Sequence, residues 1–186
     1  MNLSTRGGTH IIFIGSTSVG KTTLISRIVE GKFEETQPTT GAAFFSFHTT
    51  NENHPIVEIW DTAGMERYRS LNKAFYKEAA AAILVFDLTN YQSFKDLESW
   101  FDEFTAEAPQ GAVLILVGNK CEMQDEIEVE QDEIKVFATD HKVNYFAVSA
   151  KTGEGVQQMF DQLLTLVPKR NDVETRLVEE EKKKCC

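Results

Sequence analysis

The sequence of 186 residues lacks a long apolar run and a surplus of basic residues. No apolar run reaches the roughly 18 residues that a membrane-spanning helix needs. The N-terminal stretch MNLSTRGGTH does not have the apolar core of a secretory signal peptide, so we expect no such leader. The formal net charge of −10 argues against nucleic acid as a partner, because binding a phosphate backbone requires clustered lysines and arginines.

The sequence is also poor in cysteine and histidine. Of three cysteines, Cys121 stands alone and Cys185 and Cys186 are the last two residues. This is not a disulfide framework and indicates a reducing compartment. The four histidines, at positions 10, 48, 54 and 141, show no metal-ligand spacing, so we interpret them as structural or surface residues.

Four short apolar runs predict the centre of a sheet: IIFIG from Ile11, AAILVFD from Ala81, AVLILVG from Ala112 and YFAV from Tyr145. Strands that are apolar on both faces are typical of a parallel sheet covered by helices. AAFFSFHTT and PIVEIW, separated by NENH, indicate an antiparallel hairpin. We therefore predict an α/β doubly wound fold, with a mostly parallel sheet of six strands, one antiparallel edge hairpin, and ligands at the carboxyl ends of the strands.

Two apolar stripes with helical spacing lie between and after these strands. One comprises Val156, Met159, Phe160, Leu163, Leu164 and Val167, and the other comprises Phe94, Leu97, Phe101 and Phe104. Such stripes are core faces of helices. The pattern fades near Pro168, which predicts a short N-terminal extension (1–9), one domain (10–168) and a flexible tail (169–186).

A phosphate-binding loop follows the first apolar run. GSTSVGKT, from Gly15 to Thr22, matches G-x-x-x-x-G-K-[ST] between a predicted strand and a predicted helix. Glycines let backbone N–H groups converge on phosphate oxygens. Lys21 places a charge on the β- and γ-phosphates, and the Thr22 hydroxyl suits Mg²⁺. This loop alone leaves ATPase, kinase and GTPase open.

Two further motifs follow apolar strands and indicate which base is bound. They are NKCE (119–122) and SAK (149–151). A carboxylate can accept hydrogen bonds from the ring N–H and amino group of guanine, whereas adenine offers no such pair of donors. Together the motifs favour guanine.

The order and spacing of these motifs resemble those of the Rab family of Ras-like small GTPases. GSTSVGKT, PTTGAAF, WDTAG, NKCE and SAK carry the resemblance, which runs from about residue 10 to residue 167. EIWDTAG, RYRSL, FYKEAAAAILVFDLTN and the terminal CC look like Rab and not like Ras or Rho. GAAF and RYRSL favour the endosomal branch.

The resemblance implies a monomeric, Mg²⁺-dependent GTP/GDP switch with a P-loop GTPase fold that regulates vesicle traffic. It implies that Lys21, Thr39, Gly64 and Met65 are the catalytic positions at which water attacks the γ-phosphate. It also implies Mg²⁺ held by Thr22, by Thr39 and, through a water, by Asp61. Phe33 would lie against guanine, which Asn119, Lys120, Glu122 and the Ala150 N–H would read. The implied nucleotide-binding set is Ser16, Thr17, Ser18, Val19, Gly20, Lys21, Thr22, Thr23, Phe33, Thr39, Gly64, Asn119, Lys120, Glu122, Ser149, Ala150 and Lys151.

The resemblance also implies protein and membrane partners. Phe44, Trp60 and Phe75 match the aromatic triad that effectors read, although aromatic residues on a hairpin are often only half-buried. An exchange factor and an activating protein would act at the switch regions. Cys185 and Cys186 would be prenylated by a prenyltransferase with its escort, and a GDI-type chaperone would bind the lipids. Two lipids hold a protein on a membrane far better than one. We expect the cytoplasmic face of an intracellular membrane, with cycling through the cytosol.

Three residues depart from the family pattern. Met65 occupies the position of a water-orienting glutamine, and a thioether cannot orient water. Thr17 is β-branched beside the γ-phosphate. Glu122 replaces aspartate and adds a methylene, which predicts weaker guanine affinity. An alternative is therefore a hydrolysis-deficient GTP-binding module controlled by exchange. A more distant one is an ATP-using phosphotransferase, against which NKCE and SAK argue.

Overall fold

A six-stranded sheet forms the centre of the protein, seen in a computed structural model that describes residues 8–34, 39, 42–62 and 69–168. The strands are β1 (Thr9–Ile14), β2 (Ala42–His48), β3 (Ile56–Thr62), β4 (Ala81–Asp87), β5 (Val113–Asn119) and β6 (Asn144–Ala147). Their order is β2-β3-β1-β4-β5-β6. Only the β2–β3 pair is antiparallel, which confirms the predicted sheet with its edge hairpin.

Six helices cover the two faces of this sheet within the described residues. They are α1 (Lys21–Glu30), α2 (Arg69–Tyr76), α3 (Tyr91–Lys95), α4 (Leu97–Glu107), α5 (Gln131–Asp140) and α6 (Val156–Leu166). The stripe that begins at Val156 lies on α6 as predicted. The stripe from Phe94 to Phe104 is divided between α3 and α4, which meet at Asp96. None of these helices combines the length and the apolarity that crossing a membrane requires.

Alternate residues of each central strand enter different cores. On β1, Ile11 and Phe13 pack with apolar residues of α1 and α6. Ile12 and Ile14 point to the opposite face and pack with residues of α2, α4 and α5. Both faces are therefore buried, which explains why the strand sequence is continuously apolar.

The carboxyl ends of the parallel strands lie at one edge of the sheet. Gly15 follows β1 directly, and Asp87 ends β4 next to its register partner Asn119, the last residue of β5. Such an edge is where ligands bind in open α/β sheets. The phosphate-binding loop and the NKCE motif are thereby brought together.

At the opposite edge of the sheet, the buried side chain of His54, which is 3% exposed, connects separate segments of the chain. Its Nδ1 lies 2.8 Å from the Thr9 hydroxyl and its Nε2 lies 3.2 Å from the Val167 carbonyl oxygen. His54 thus joins β1, the hairpin loop and the end of α6. β1 begins at Thr9, one residue before the predicted domain boundary, and the predicted tail lies outside the described residues.

Candidate nucleotide-binding site

A cavity of about 400 Å³ opens where β1 and β5 end. Most of the residues predicted to bind nucleotide line it, namely Thr17, Ser18, Gly20, Lys21, Thr22, Thr23, Phe33, Thr39, Asn119, Lys120, Glu122, Ala150 and Lys151. Ser16, Val19 and Ser149 are not among its lining residues, and Gly64 and Met65 lie outside the described residues. The cavity therefore brings together the phosphate loop (17–23), Phe33 and Thr39, the NKCE motif (119–122) and the SAK motif (150–151).

The phosphate-binding loop depends on two glycines that contact other parts of the site. Gly15 and Gly20 have φ angles of 139° and 95°, values that side chains disfavour. A Cβ atom on Gly15 would lie 2.1 Å from the Val85 carbonyl oxygen, and one on Gly20 would lie 2.2 Å from Asn119 Nδ2. The loop backbone thus packs directly against β4 and against the NKCE motif.

Lys21 is a buried cation at the start of α1, with 6% of its surface exposed. Its Nζ donates hydrogen bonds of 2.8 Å to the carbonyl oxygens of Gly15 and Ser16. Burial lowers the pKa of Lys21 to about 8, although the Asp61 charge opposes the shift. An anion in the cavity would offset this desolvation, and a phosphate at the N-terminus of α1 fits that requirement.

Three oxygen-bearing side chains predicted to hold Mg²⁺ converge beside Lys21. The Thr22 hydroxyl lies 2.6 Å from Asp61 Oδ2 and 2.8 Å from the Thr39 hydroxyl. Asp61 is buried, and its Oδ1 has no hydrogen-bond partner among the described residues. Burial raises the pKa of Asp61, while bonds from Thr22 and Thr39 and the charge of Lys21 act against it.

This oxygen cluster fits a hard divalent cation. Hydroxyl and carboxylate oxygens are the ligands that Mg²⁺ prefers, and Mg²⁺ usually keeps several waters. The site has one carboxylate, from Asp61. It is therefore not a metal centre of the kind built from several carboxylates, histidines or cysteines, and the described residues contain no group of three or more such side chains that could hold a metal. Asp61 Oδ1, which has no partner among the described residues, could ligate a bound cation or accept a hydrogen bond from a water on it.

Both polar atoms of the Asn119 side-chain amide bond to backbone groups of the site. Its Nδ2 donates to the Val19 carbonyl oxygen at 2.9 Å, and its Oδ1 accepts from the Ala150 N–H at 3.0 Å. It therefore links the phosphate loop to the SAK loop. Ser149 has a similar local role, since its hydroxyl oxygen accepts from the Thr152 N–H at 3.0 Å.

Glu122 supplies an unsatisfied acceptor on the cavity wall. Its Oε2 is buried and has no hydrogen-bond partner among the described residues. Phe33, 40% exposed, provides an apolar surface to the same cavity. A buried carboxylate oxygen without a donor fits a ligand that carries N–H groups, as guanine does.

The comparison with known proteins decides the family. Residues 10–169 match the Ras family. RABF2a of Arabidopsis thaliana is 39% identical over 162 residues, which is 86% of this chain and 80% of that protein. Rab5A of Oryza sativa subsp. japonica is 39% identical over 82% of this chain and 76% of its own length, and Rab5 of Nicotiana tabacum is 37% identical over 86% and 80%. This chain is a Rab small GTPase of the Ras family. Its relatives agree with the endosomal branch that GAAF and RYRSL favoured.

Two polar residues that support the base side of this Rab site were not predicted from the sequence. The Asp87 carboxylate pairs with the Lys120 ammonium and accepts two further bonds from Thr89. Asp87 carries a recognisable signal, a charged residue that ends an apolar strand at the ligand edge. Arg27 donates to the carbonyl oxygens of Ala150 and Lys151 and carries no such signal. Met123, which also lines the cavity, follows directly after NKCE.

Ser16 faces away from the cavity of this Rab. Its hydroxyl donates to Asp96 Oδ2 at 2.7 Å and accepts from Trp100 Nε1 at 3.3 Å. The residue that separates α3 from α4 therefore also holds the first side chain of the phosphate loop. Any contact of Ser16 with phosphate would have to come from its backbone.

The predicted effector triad is assembled, but its members are not equally accessible. Phe44 pairs with Trp60 across β2 and β3, and the rings of Trp60 and Phe75 lie 5.1 Å apart. Phe44 is 50% exposed, whereas Trp60 is 5% exposed because His10 covers its other side at 4.8 Å. Trp60 therefore exposes little surface to a partner and packs against His10 and Phe75. The two terminal cysteines lie outside the described residues.

Proposed function

We propose that this Rab is a GTP-binding switch that regulates intracellular vesicle traffic and hydrolyses GTP slowly unless an activating protein assists it. One observation carries the proposal. A buried lysine, two threonines and a Glu122 carboxylate oxygen without a hydrogen-bond partner line one cavity, and Asp61 bonds to both threonines. These groups match, in that order, the phosphates, the cation and the base of a guanine nucleotide.

The chain's own residues divide the work at the phosphates. Lys21 would neutralise charge on the β- and γ-phosphates, aided by backbone N–H groups of the loop that begins at Gly15. The Thr39 and Gly64 N–H groups would clasp the γ-phosphate. Bound Mg²⁺, held by Thr22, Thr39 and through water by Asp61, would neutralise the charge that develops on the phosphate oxygens. Loss of the γ-phosphate would release both switch segments.

Residue 65 determines how fast this chain would hydrolyse GTP on its own. Met65 offers neither a donor nor a useful acceptor to the attacking water. A Rab-directed activating protein that inserts an arginine together with its own glutamine would supply what Met65 lacks. The second candidate function, a hydrolysis-deficient module controlled by exchange, is favoured by Met65 together with Thr17, which lines the phosphate end of the cavity.

The membrane side of the proposal rests on the sequence. Cys185 and Cys186 would carry two lipids, and Lys182, Lys183 and Lys184 would add attraction to an anionic leaflet. The protein would then cycle between the cytoplasmic face of an endosomal membrane and the cytosol, bound there by a GDI-type chaperone. Its effectors and its exchange factor would act at the switch surface near Phe44 and Phe75.

The nucleotide that the purified protein retains tests the central proposal. We expect GDP or GTP after gentle purification in Mg²⁺, identified by denaturing the protein and separating the released nucleotides. Exchange against added GDP should displace it, and ADP should not. Retention of adenine nucleotide would support a P-loop phosphotransferase instead and would contradict the assignment of NKCE and SAK.

Replacing Glu122 with aspartate is expected to strengthen guanine binding. The shorter side chain should let both carboxylate oxygens meet the two guanine donors, and each charge-assisted bond contributes about 1.5–3 kcal/mol. Partial recovery of one bond lengthens GDP retention about tenfold. The measurement is release of labelled GDP into excess unlabelled GDP, with Glu126→Asp in the neighbouring 3₁₀ helix (Gln124–Glu126) as the control. A faster release from Glu122→Asp would mean that the cavity is built for glutamate.

A further inference from the structure

Arg27 joins helix α1 to two other segments through three backbone carbonyl groups. Its Nε donates to the Ala150 oxygen at 3.0 Å and its Nη2 donates to the Lys151 oxygen at 2.6 Å. Its Nη1 donates to the Gly31 oxygen at 3.0 Å. A planar guanidinium with five fixed donors suits such a three-way contact, whereas a single ammonium cannot reproduce it.

The three carbonyl groups belong to segments that form the base end of the cavity. Ala150 and Lys151 line the cavity directly. Gly31 ends α1 with a φ of 69°, two residues before Phe33, which lines the cavity as well. Arg27 therefore fixes the SAK loop, here called the base loop (residues 149–154), and the start of the segment carrying Phe33 to the same helix.

The bonds from Arg27 also orient peptide groups of the base loop. The N–H and C=O of a trans peptide point in opposite directions, and the described residues contain no cis peptide. With the Ala150 carbonyl turned to Arg27, the Lys151 N–H points away from it. The adjacent Ala150 N–H is held by Asn119. The directions of the Ala150 and Lys151 N–H groups are thus set by Asn119 and Arg27, respectively.

The base loop has enough internal bonds to form its turn without Arg27. The Gly153 N–H donates to the Ser149 oxygen at 2.8 Å, and the Ser149 N–H donates to the Glu154 oxygen at 3.0 Å. Val148, which precedes the loop, is held separately, since its oxygen accepts from the Cys121 N–H at 3.1 Å. Loss of Arg27 should therefore shift the loop relative to α1 rather than unfold it.

We propose that Arg27 is a positioning residue that holds the base loop and the approach to Phe33 in place, and so sets both the affinity for guanine nucleotide and its selection. The Lys151 N–H, whose peptide Arg27 orients, is the donor of this loop from which the 6-oxygen of guanine would accept a hydrogen bond. The inference rests on the proposed function, because it assumes that guanine occupies this cavity. Arg27 touches no reacting atom, and its effect passes through the backbone of Ala150 and Lys151.

The test compares two ligands in each of several variants. Dissociation constants are measured for GDP and, by competition, for 2-aminopurine riboside 5′-diphosphate, which lacks the 6-oxygen and, with it, the N1–H that Glu122 would bind. Because every variant keeps Glu122, the loss of that bond is common to all of them, and the change in the ratio between variants reports on the 6-oxygen. Arg27→Gln is expected to weaken GDP roughly 10-fold to 100-fold and the analogue much less, so the preference for GDP shrinks. Arg27→Lys, which keeps the charge, should fall between. Lys135→Gln removes one cation from an exposed part of α5 and should change neither constant.

The outcomes separate this role from a structural one and from the proposed function itself. Equal weakening of both ligands, or an unchanged affinity for GDP, would overturn the inference. If Arg27→Gln unfolds, the ratio measured in Arg27→Lys decides the matter, since each ratio is taken within one folded protein. Wild-type protein that binds neither ligand would overturn the proposed function, whereas guanine binding that ignores Arg27 overturns only the role of Arg27.

Discussion

Replacing Lys21 with alanine is expected to lower the affinity for GTP roughly 10²–10⁴-fold, since two charge-assisted contacts to phosphate contribute about 3–6 kcal/mol. The side chain is 6% exposed, and its Nζ donates to the carbonyl oxygens of Gly15 and Ser16. Burial lowers the pKa of Lys21, so the buried cation is disfavoured when no anion lies beside it, and the two hydrogen bonds to carbonyl oxygens act against this effect. A bound phosphate would compensate for the desolvation of the charge.

The measurement is equilibrium titration of nucleotide-free protein with GTP and GDP in Mg²⁺, accompanied by thermal unfolding without nucleotide. Lys21→Ala should bind far more weakly while its unfolding midpoint in the absence of nucleotide stays close to that of the wild type. Lys135→Ala, on the exposed side of α5, is the control for loss of one positive charge. Equal GTP affinity in Lys21→Ala and the wild type would show that the cavity does not place phosphate at the start of α1.

The sequence was sufficient for the parts of the fold that repeat a simple pattern. Continuous apolar runs predicted the central strands because both faces of a parallel sheet are covered. The stripe beginning at Val156 predicted α6 because a helix that covers a sheet buries only one of its faces. The motif residues that meet in the cavity could be predicted because their spacing follows strand ends, which share one edge of the sheet.

Other features depend on contacts between distant segments, and no pattern in the sequence predicts them. Arg27 is one polar residue on an amphipathic helix, and only the fold brings the carbonyl groups of Ala150 and Lys151 to it. The division of one apolar stripe into α3 and α4 arises at Asp96, whose carboxylate binds Ser16 eighty residues away. Trp60 belongs to a motif associated with a surface, but β3 lies inside the sheet and His10 and Phe75 cover the ring.

The predicted roles of single polar groups were harder to assign than the site itself. The Asn119 amide and the Ala150 N–H were predicted to meet the base, and here they bond to each other and to Val19. A motif fixes which residues are near a ligand, because strand ends and turns determine backbone positions. It does not fix which hydrogen bond each group makes, since buried donors and acceptors find backbone partners wherever these are within reach.

Replacing Met65 with glutamine is expected to accelerate intrinsic GTP hydrolysis roughly 10²–10³-fold, which corresponds to about 3–4 kcal/mol in the barrier. A glutamine amide can hold the attacking water towards the γ-phosphate, whereas a thioether cannot. The measurement is phosphate release in a single turnover from protein loaded with GTP. Met65→Leu, which is apolar and of similar size, is the matched control and should remain as slow as the wild type.

Adding a Rab-directed activating protein to the same assay distinguishes the two candidate functions. If the partner contributes both an arginine and a glutamine, wild type should respond nearly as strongly as Met65→Gln, with an acceleration that can reach about 10⁵-fold. If the activating protein accelerates phosphate release from Met65→Gln but not from the wild type, the module controlled by exchange is favoured. If Met65→Gln remains slow both with and without the activating protein, the missing amide does not limit hydrolysis. The β-branched Thr17 on the cavity wall is then the next residue to replace, in the double variant Met65→Gln, Thr17→Ala. A fast double variant would mean that crowding near the γ-phosphate, rather than the missing amide alone, sets the rate of this switch.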